Sequence, residues 1–321
     1  MTSMKGIVAM IEECTKEMEQ NAQWGTAHVY KSTARSFARY AAQRNSQSTG
    51  QADVCLHDLT PALLKDYESW LRGNGCKWNT VATYMKTLRA TYNRAVDEGQ
   101  AAEQVRLFRH VRTYPTADRK RAIEGNDMYK LLKRSRKGNN PKAEQTRALR
   151  FFALMFLLRG MPFVDLCYLR PSDIAGRRLT YRRRKTGRVL TVELTDEALR
   201  LIKLLRRRGH SSYLFGFVHS PEGTQAAYHE YQLALRNFNR TLLKLSPLLP
   251  QITPRLSTYT ARHTWATLAY RCEINPGIIS EAMGHSSIKV TETYLKPFSS
   301  ERIDRANREV IEYVKRMHAA G

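Results

Sequence analysis

Cysteine is scarce in this sequence and poorly placed for cross-linking. Its five residues (Cys14, Cys55, Cys76, Cys167, Cys272) are scattered over 321 positions, and no Cys-x-x-Cys occurs. That argues against a disulfide framework and a zinc ribbon, and it reads as reduced thiols in a cytoplasm. The nine histidines form no His-x-x-x-His and no His-Glu-x-x-His pair, so no metal ligand set is expected. Long apolar runs are missing as well. The longest, Phe151 to Leu158, has eight residues and is too short to span a bilayer. The stretch Gly6 to Ile11 meets Glu12 and Glu13 with no cleavage pattern behind it, so no secretory leader is expected. Neither end shows a basic amphipathic segment or a lipidation signal, which removes the membrane from the expected partners. Gly-x-x-x-x-Gly-Lys and Gly-x-Ser-x-Gly are both absent, arguing against a P-loop NTPase and a hydrolase nucleophile elbow.

Acidic residues are the last shortage: 29 Asp and Glu face 53 Lys and Arg, a formal net charge of +24. Phosphate is the partner such a surplus suits, and nucleic acid is its richest source. The surplus is unevenly spread. Residues 1–105 carry a net of only +1 and residues 106–321 carry +23. With 42% hydrophobic residues the chain can bury a sizeable core, and its length fits two domains. The expected division is a helical domain over 1–105, a basic linker over 106–125 and a second domain over 126–321.

In the first part, Thr60 before Pro61 reads as an N-cap and first helical position. A second helix opens near Asn79 with Val81, Met85, Leu88 and Tyr92 on one face, and Gly99 stands where a C′ glycine belongs. An earlier helix covers about Gly25 to Gln43. The linker, with Arg106, Arg109, His110, Arg112, Arg119, Lys120 and Arg121, reads as exposed: either solvated charge or a strap for a nucleic-acid backbone. The second part opens with a helix over Ala148 to Leu158, and Pro162 starts another over Phe163 to Leu169. The period then changes. Residues 177–184 and 188–194 flank Lys185-Thr186-Gly187 as a β-hairpin. A helix capped by Thr195 follows, and further helices are expected near 223–245, 257–272, 276–283 and 301–318. The fold class expected is mainly α with one small sheet.

Chemistry on a phosphate without a metal set or a nucleotide loop needs cations for the charge of a pentacoordinate phosphorane. It also needs a nucleophile and a proton donor for the leaving oxygen. Tyr259-Thr260-Ala261-Arg262-His263-Thr264-Trp265-Ala266-Thr267 lies on an expected helix; Gly284-His285-Ser286-Ser287 begins 22 residues after Arg262, and Tyr294 closes Thr291-Glu292-Thr293-Tyr294 nine residues after His285. At this spacing the sequence resembles the tyrosine recombinase (phage integrase) family. The likeness is strong over about 145–300, and the first domain is similar to the family's helical core-binding domain in length and pattern only.

The resemblance implies a site-specific DNA recombinase of phages and mobile elements. Tyr294 would be the nucleophile giving a 3′-phosphotyrosyl link. Arg262 would clamp two non-bridging oxygens with its planar fork, and His285 would donate a hydrogen bond to the same phosphate. Lys185 at the hairpin tip would protonate the leaving 5′-oxygen. No cofactor is implied. The implied partner is double-stranded DNA with specific sites, bound by a homotetramer with accessory DNA-bending proteins. The implied setting is bacterial, cytoplasmic and nucleoid-associated. Lys77, Lys86, Arg89, Arg182 and Arg184 are candidate DNA contacts. A C-terminal helix with Ile303, Ala306, Val310, Ile311 and Val314 on one face would pack on a neighbouring protomer or cap its own domain.

Two positions depart from the family pattern. Pro162 stands where the family carries its first arginine, three residues after Arg159. Three helical residues rise about 4.5 Å, so Arg159 is expected to supply the missing guanidinium if Gly160 and Pro162 re-aim the turn. Tyr259 replaces a histidine three residues before Arg262, and its hydroxyl can donate but brings no positive charge at neutral pH. These departures keep open a catalytically impaired DNA-binding protein of the same fold. An enzyme like the type IB topoisomerases, which share the chemistry, is a second alternative, against which the length and Gly284-His285-Ser286-Ser287 argue.

Overall fold

A computed structural model describes residues 5–45, 53–115, 121–137, 143–207, 212–245, 255–292 and 300–319. The chain divides into two compact units, one of residues 1–118 with 220–230 and one of 119–219 with 231–321.

The first unit is built on four helices, α1 (Ile7–Gln20), α2 (Trp24–Asn45), α3 (Pro61–Gly73) and α4 (Trp78–Asp97). The Thr60 side chain accepts from the Leu63 amide with Pro61 behind it, the start its sequence announces. Helix α1 has no such local signal. Its first amides are met by the Asp53 carboxylate, which accepts from Val8 N at 3.0 Å and Ala9 N at 3.2 Å. Phe37, Tyr40, Tyr67 and Leu64 centre the core, with the Phe37 and Tyr67 rings edge to face at 5.0 Å. The start of the expected linker differs from an exposed strap. Leu107 and Val111 are buried in this core, and Arg112 N donates to buried Glu68 at 2.8 Å.

The second unit holds α5 (Gly125–Lys137), α6 (Ala143–Leu157), α7 (Phe163–Cys167), β1 (Ile174–Ala175), β2 (Arg178–Arg182), β3 (Val189–Glu193), α8 (Asp196–Leu205), α10 (Thr258–Arg271), α11 (Pro276–Met283), α12 (Ile288–Glu292) and α13 (Ser300–Ala319). Helix α9 (Gln225–Leu245) runs from the first unit's residues into the second's. Helix α6 forms the floor: Phe151, Phe152, Leu154 and Met155 are buried, and Phe151 lies edge to face with Phe215 at 5.2 Å. The three strands pair antiparallel in the order β1-β2-β3, with Leu179 opposite Val192 and Tyr181 opposite Leu190. Leu179 and Tyr181 point inward by strand alternation. The fold is thus mainly α with one small sheet. No described helix is long and apolar enough to cross a membrane.

Candidate active site

Helices α7, α9, α10 and α12, the β2–β3 hairpin and the turn after α11 meet at a cavity of about 260 Å³ lined by Arg262, His285, Arg183, Lys185, Thr186, Tyr259 and Ser286 on its polar side. Phe163, Val164, Leu235 and Val290 form an apolar wall. Arg262 comes from the first turns of α10, a helix opened by a Ser257–Thr260 capping box and by Asn239, whose Oδ1 accepts from Thr258 N at 2.9 Å. It is only 4% exposed. Its Nη1 donates to Gly160 O at 3.0 Å, and its Nη2 donates to Met283 O at 2.9 Å and to His285 Nε2 at 2.7 Å.

That last bond assigns a tautomer, because a guanidinium can only donate. Nε2 of His285 is the acceptor, and Nδ1 carries the proton and faces Thr291 Oγ1 at 2.8 Å. Burial pushes the ring's pKa down to about 4, reinforced by the charges of Arg262, Arg183 and Lys185. The ring is therefore neutral near pH 7 and holds α12, whose last residue is Glu292, against α10. Tyr294, the expected nucleophile, lies outside the described residues.

Two glycines make the close packing possible. Gly160 has φ +68°, and a Cβ there would lie 2.8 Å from the Arg262 Cα. Gly284 has φ +64° at the end of α11, and a Cβ would lie 2.9 Å from a Leu190 methyl.

The hairpin is fastened to the turn after α11. Thr186 Oγ1 donates to Gly284 O at 3.1 Å, Arg188 Nη1 to His285 O at 2.7 Å, and Arg183 Nε to Met283 O at 3.2 Å. Lys185 sits between these ties, exposed and lining the cavity as expected. The residue the sequence reading missed is Arg183. It is 6% exposed, lines the cavity, and donates through Nη1 to buried Asp165 at 2.8 Å. Asp165 accepts from Arg184 N as well, at 3.0 Å. Burial raises the Asp165 carboxyl while the Arg183 charge opposes it. Strand parity was the available signal: Leu179 and Tyr181 point inward, and Arg183, one residue past β2, keeps the same phase.

Arg159 requires a correction. It adopts φ +58° and lines a separate hollow with Arg188, Leu190, Thr191 and Ile278. Its Nη1 donates to Thr191 O at 3.3 Å. Two successive left-handed residues swing its side chain outward, so the carbonyl of Gly160, not the guanidinium of Arg159, meets Arg262.

The remaining candidates are spread over two units. Lys77, Lys86 and Arg89 are exposed along α4 in the first unit. Beside them lie Arg72, which the reading missed, and Arg112 of the expected linker, whose guanidinium carbons are 4.6 Å and 5.1 Å from the Trp78 ring centre. In the second unit Arg182 donates to Gly187 O at 2.7 Å, and Arg184 stacks on Tyr168 at 3.8 Å. His263 is partly buried, and burial with the nearby charges of Arg121 and Arg262 pushes it down to about 4. Among the described residues one trio, Cys55, His57 and Asp58, brings possible metal-donor atoms within 4.8 Å of one another, on a single 3-10 turn of the first unit.

Comparison with known proteins bears on both units. Residues 7–108 match the family model described as the phage integrase SAM-like domain, and residues 121–301 match that of the phage integrase family. A curated tyrosine recombinase of Pseudothermotoga lettingae is 24% identical over 269 residues, 80% of this chain and 84% of that one. The Tn1549 transposon integrase, solved with transposon right end DNA, aligns with TM-score 0.64 at 14% identity, over 96% of this chain and 100% of that one. The XerH site-specific recombinase, solved on its difH substrate before cleavage, aligns with TM-score 0.61 at 15% identity, over 92% of this chain and 83% of that one.

Proposed function

The chain belongs to the phage integrase family and is a tyrosine recombinase, and from that premise we propose that it cleaves and rejoins DNA at the cavity formed by Arg262, His285, Arg183 and Lys185. The phenol oxygen of Tyr294 attacks the scissile phosphorus and loses its proton to solvent, and the bond from phosphorus to the 5′-oxygen breaks. The leaving oxygen takes a proton from Lys185. A 5′-hydroxyl from a second strand then reverses the step on the phosphotyrosine. One phosphoester replaces another at each stage, so the energy of the bond is conserved.

The observation that carries this reading is the convergence of two buried arginines and one exposed lysine around one neutral histidine. Arg262 and Arg183 supply fixed positive charge where the phosphorane develops negative charge. His285 is neutral because of burial and three neighbouring cations. A phosphate seated among those cations offsets them and returns the ring toward the protonated form, which can donate to it. With Arg183 in the cavity, the proline at 162 leaves no gap in the cation set, which argues against a catalytically impaired protein.

DNA is the partner, bound through the +23 charge of residues 106–321 and through Lys77, Lys86, Arg89, Arg72 and Arg112 of the first unit. A homotetramer on paired sites follows from the same reading. Ile303, Val310, Ile311 and Tyr313 on α13 are exposed and offer an apolar face to a neighbouring protomer. Accessory DNA-bending proteins complete the proposed assembly.

The test is a nicked suicide substrate built from the DNA that flanks the gene for this protein. A covalent protein–DNA adduct is expected, and its loss in Tyr294→Phe identifies the nucleophile. Binding without any adduct would leave a DNA-binding protein of this fold. Relaxation of plasmids that lack the site would point instead to topoisomerase-like action.

A further inference from the structure

The chain just before α5 does not hang free beside the site. Ile123 is buried, and its amide donates to Thr264 Oγ1 at 3.1 Å. Glu124 pairs with Arg271, one bond being Nη2 to Oε1 at 3.0 Å. Gly125 packs beside Leu268. Three consecutive residues are thus seated on α10, the helix that carries Arg262. At the leading end of this strap the Arg121 guanidinium lies 5.4 Å from the ring centre of Tyr259. Tyr259 is 56% exposed and lines the cavity, so its ring stands at the rim.

A phenol in that place can donate a hydrogen bond to a phosphate but carries no charge. A guanidinium stacked on its face adds the charge and restricts the ring. We infer that Arg121, held on α10 by the strap, is a positioning residue of the active site, which fixes the Tyr259 hydroxyl toward the scissile phosphate and adds a cation at the cavity rim. The inference rests on the phosphoryl-transfer reading above. It makes residues 121–125 part of the catalytic apparatus, so that activity depends on how this segment is seated as well as on the cavity itself.

Suicide-substrate cleavage at saturating DNA tests it, with binding measured in parallel at fixed salt. Arg121→Ala and Tyr259→Phe should each slow cleavage about tenfold, and the double variant should be no slower than Arg121→Ala alone. Arg121→Ala with Tyr259→His should regain rate below about pH 6.5, where an exposed imidazole is charged, and lose it above. The same profile of Arg121→Ala with Tyr259 kept subtracts what His263 on the same helix and His285 and Lys185 across the cavity contribute. Additive losses, a wild-type rate in Arg121→Ala, or no pH-dependent regain would overturn the inference. A wild-type protein that forms no Tyr294 adduct would instead overturn the reading beneath it.

Discussion

The turn between α6 and α7 and the hairpin between β2 and β3 both border Arg262, and each carries an arginine. They treat it in opposite ways. The turn throws Arg159 outward and offers Arg262 a bare carbonyl from Gly160. The hairpin draws Arg183 inward, pairs it with Asp165 and aims it at the same cavity. On the proposed reading the cation missing at Pro162 is replaced from a different element, and the buried counter-charge that holds it, Asp165, comes from α7 and not from the hairpin.

The sharpest way to break that comparison is Arg183→Ala. Cleavage should fall by about 10²- to 10³-fold, the loss of one transition-state donor. Stability should fall by about 3–5 kcal/mol because Asp165 is left buried without its partner. The double variant Asp165→Asn with Arg183→Met should recover thermal stability but not cleavage, which separates the two effects. Recovery of both would return Arg183 to a purely structural role.

Acid sharpens the hairpin side. His285 is held near 4 in the fold and titrates near 6.5 when unfolded. The unfolded chain therefore binds more protons in between. Stability is complete above about pH 6.5 and declines as pH falls toward 4, by at most about 3 kcal/mol from this ring. Denaturant titrations from pH 7 to 4 measure it, and a smaller decline in His285→Gln would assign it.

Gly160→Ala probes the turn. The left-handed backbone and the 2.8 Å approach to Arg262 leave no room for a methyl group, so a loss of about 1–3 kcal/mol is expected in the thermal transition. The smallest effect belongs to Arg159→Gly. It relieves a left-handed non-glycine residue, so stability should rise by about 1 kcal/mol, and cleavage should stay within about twofold of wild type. A large loss of cleavage there would reverse the comparison.

Legibility in the sequence followed locality. Helices α3 and α8 announce themselves through Thr60 and Thr195, whose side chains cap the next turn. Helix α1 was not legible because its cap, Asp53, arrives from 44 and 45 residues away in sequence. Helix α5 was missed because its charged composition hides the apolar face that buries Met128 and Leu131. In the site, Arg262 and His285 of the spaced motif and Lys185 of the expected hairpin line one cavity. Arg183 was hidden by its company, since the neighbouring Arg182 and Arg184 read as DNA contacts and Lys185 as the proton donor. Only the pleat of β2 and the distant Asp165 distinguish it.

The pinning of Arg262 has a thermodynamic consequence. An arginine side chain loses about 2 kcal/mol of rotamer entropy when it is held in one conformation. Here the carbonyls of Gly160 and Met283 and the ring of His285 hold it before any DNA arrives. Folding has therefore already absorbed that ordering, and phosphate capture at this residue proceeds without a further loss of side-chain freedom. The same fastening leaves little slack, so a lysine at 262, with a point charge on a flexible stem, would have to be ordered anew in every catalytic cycle.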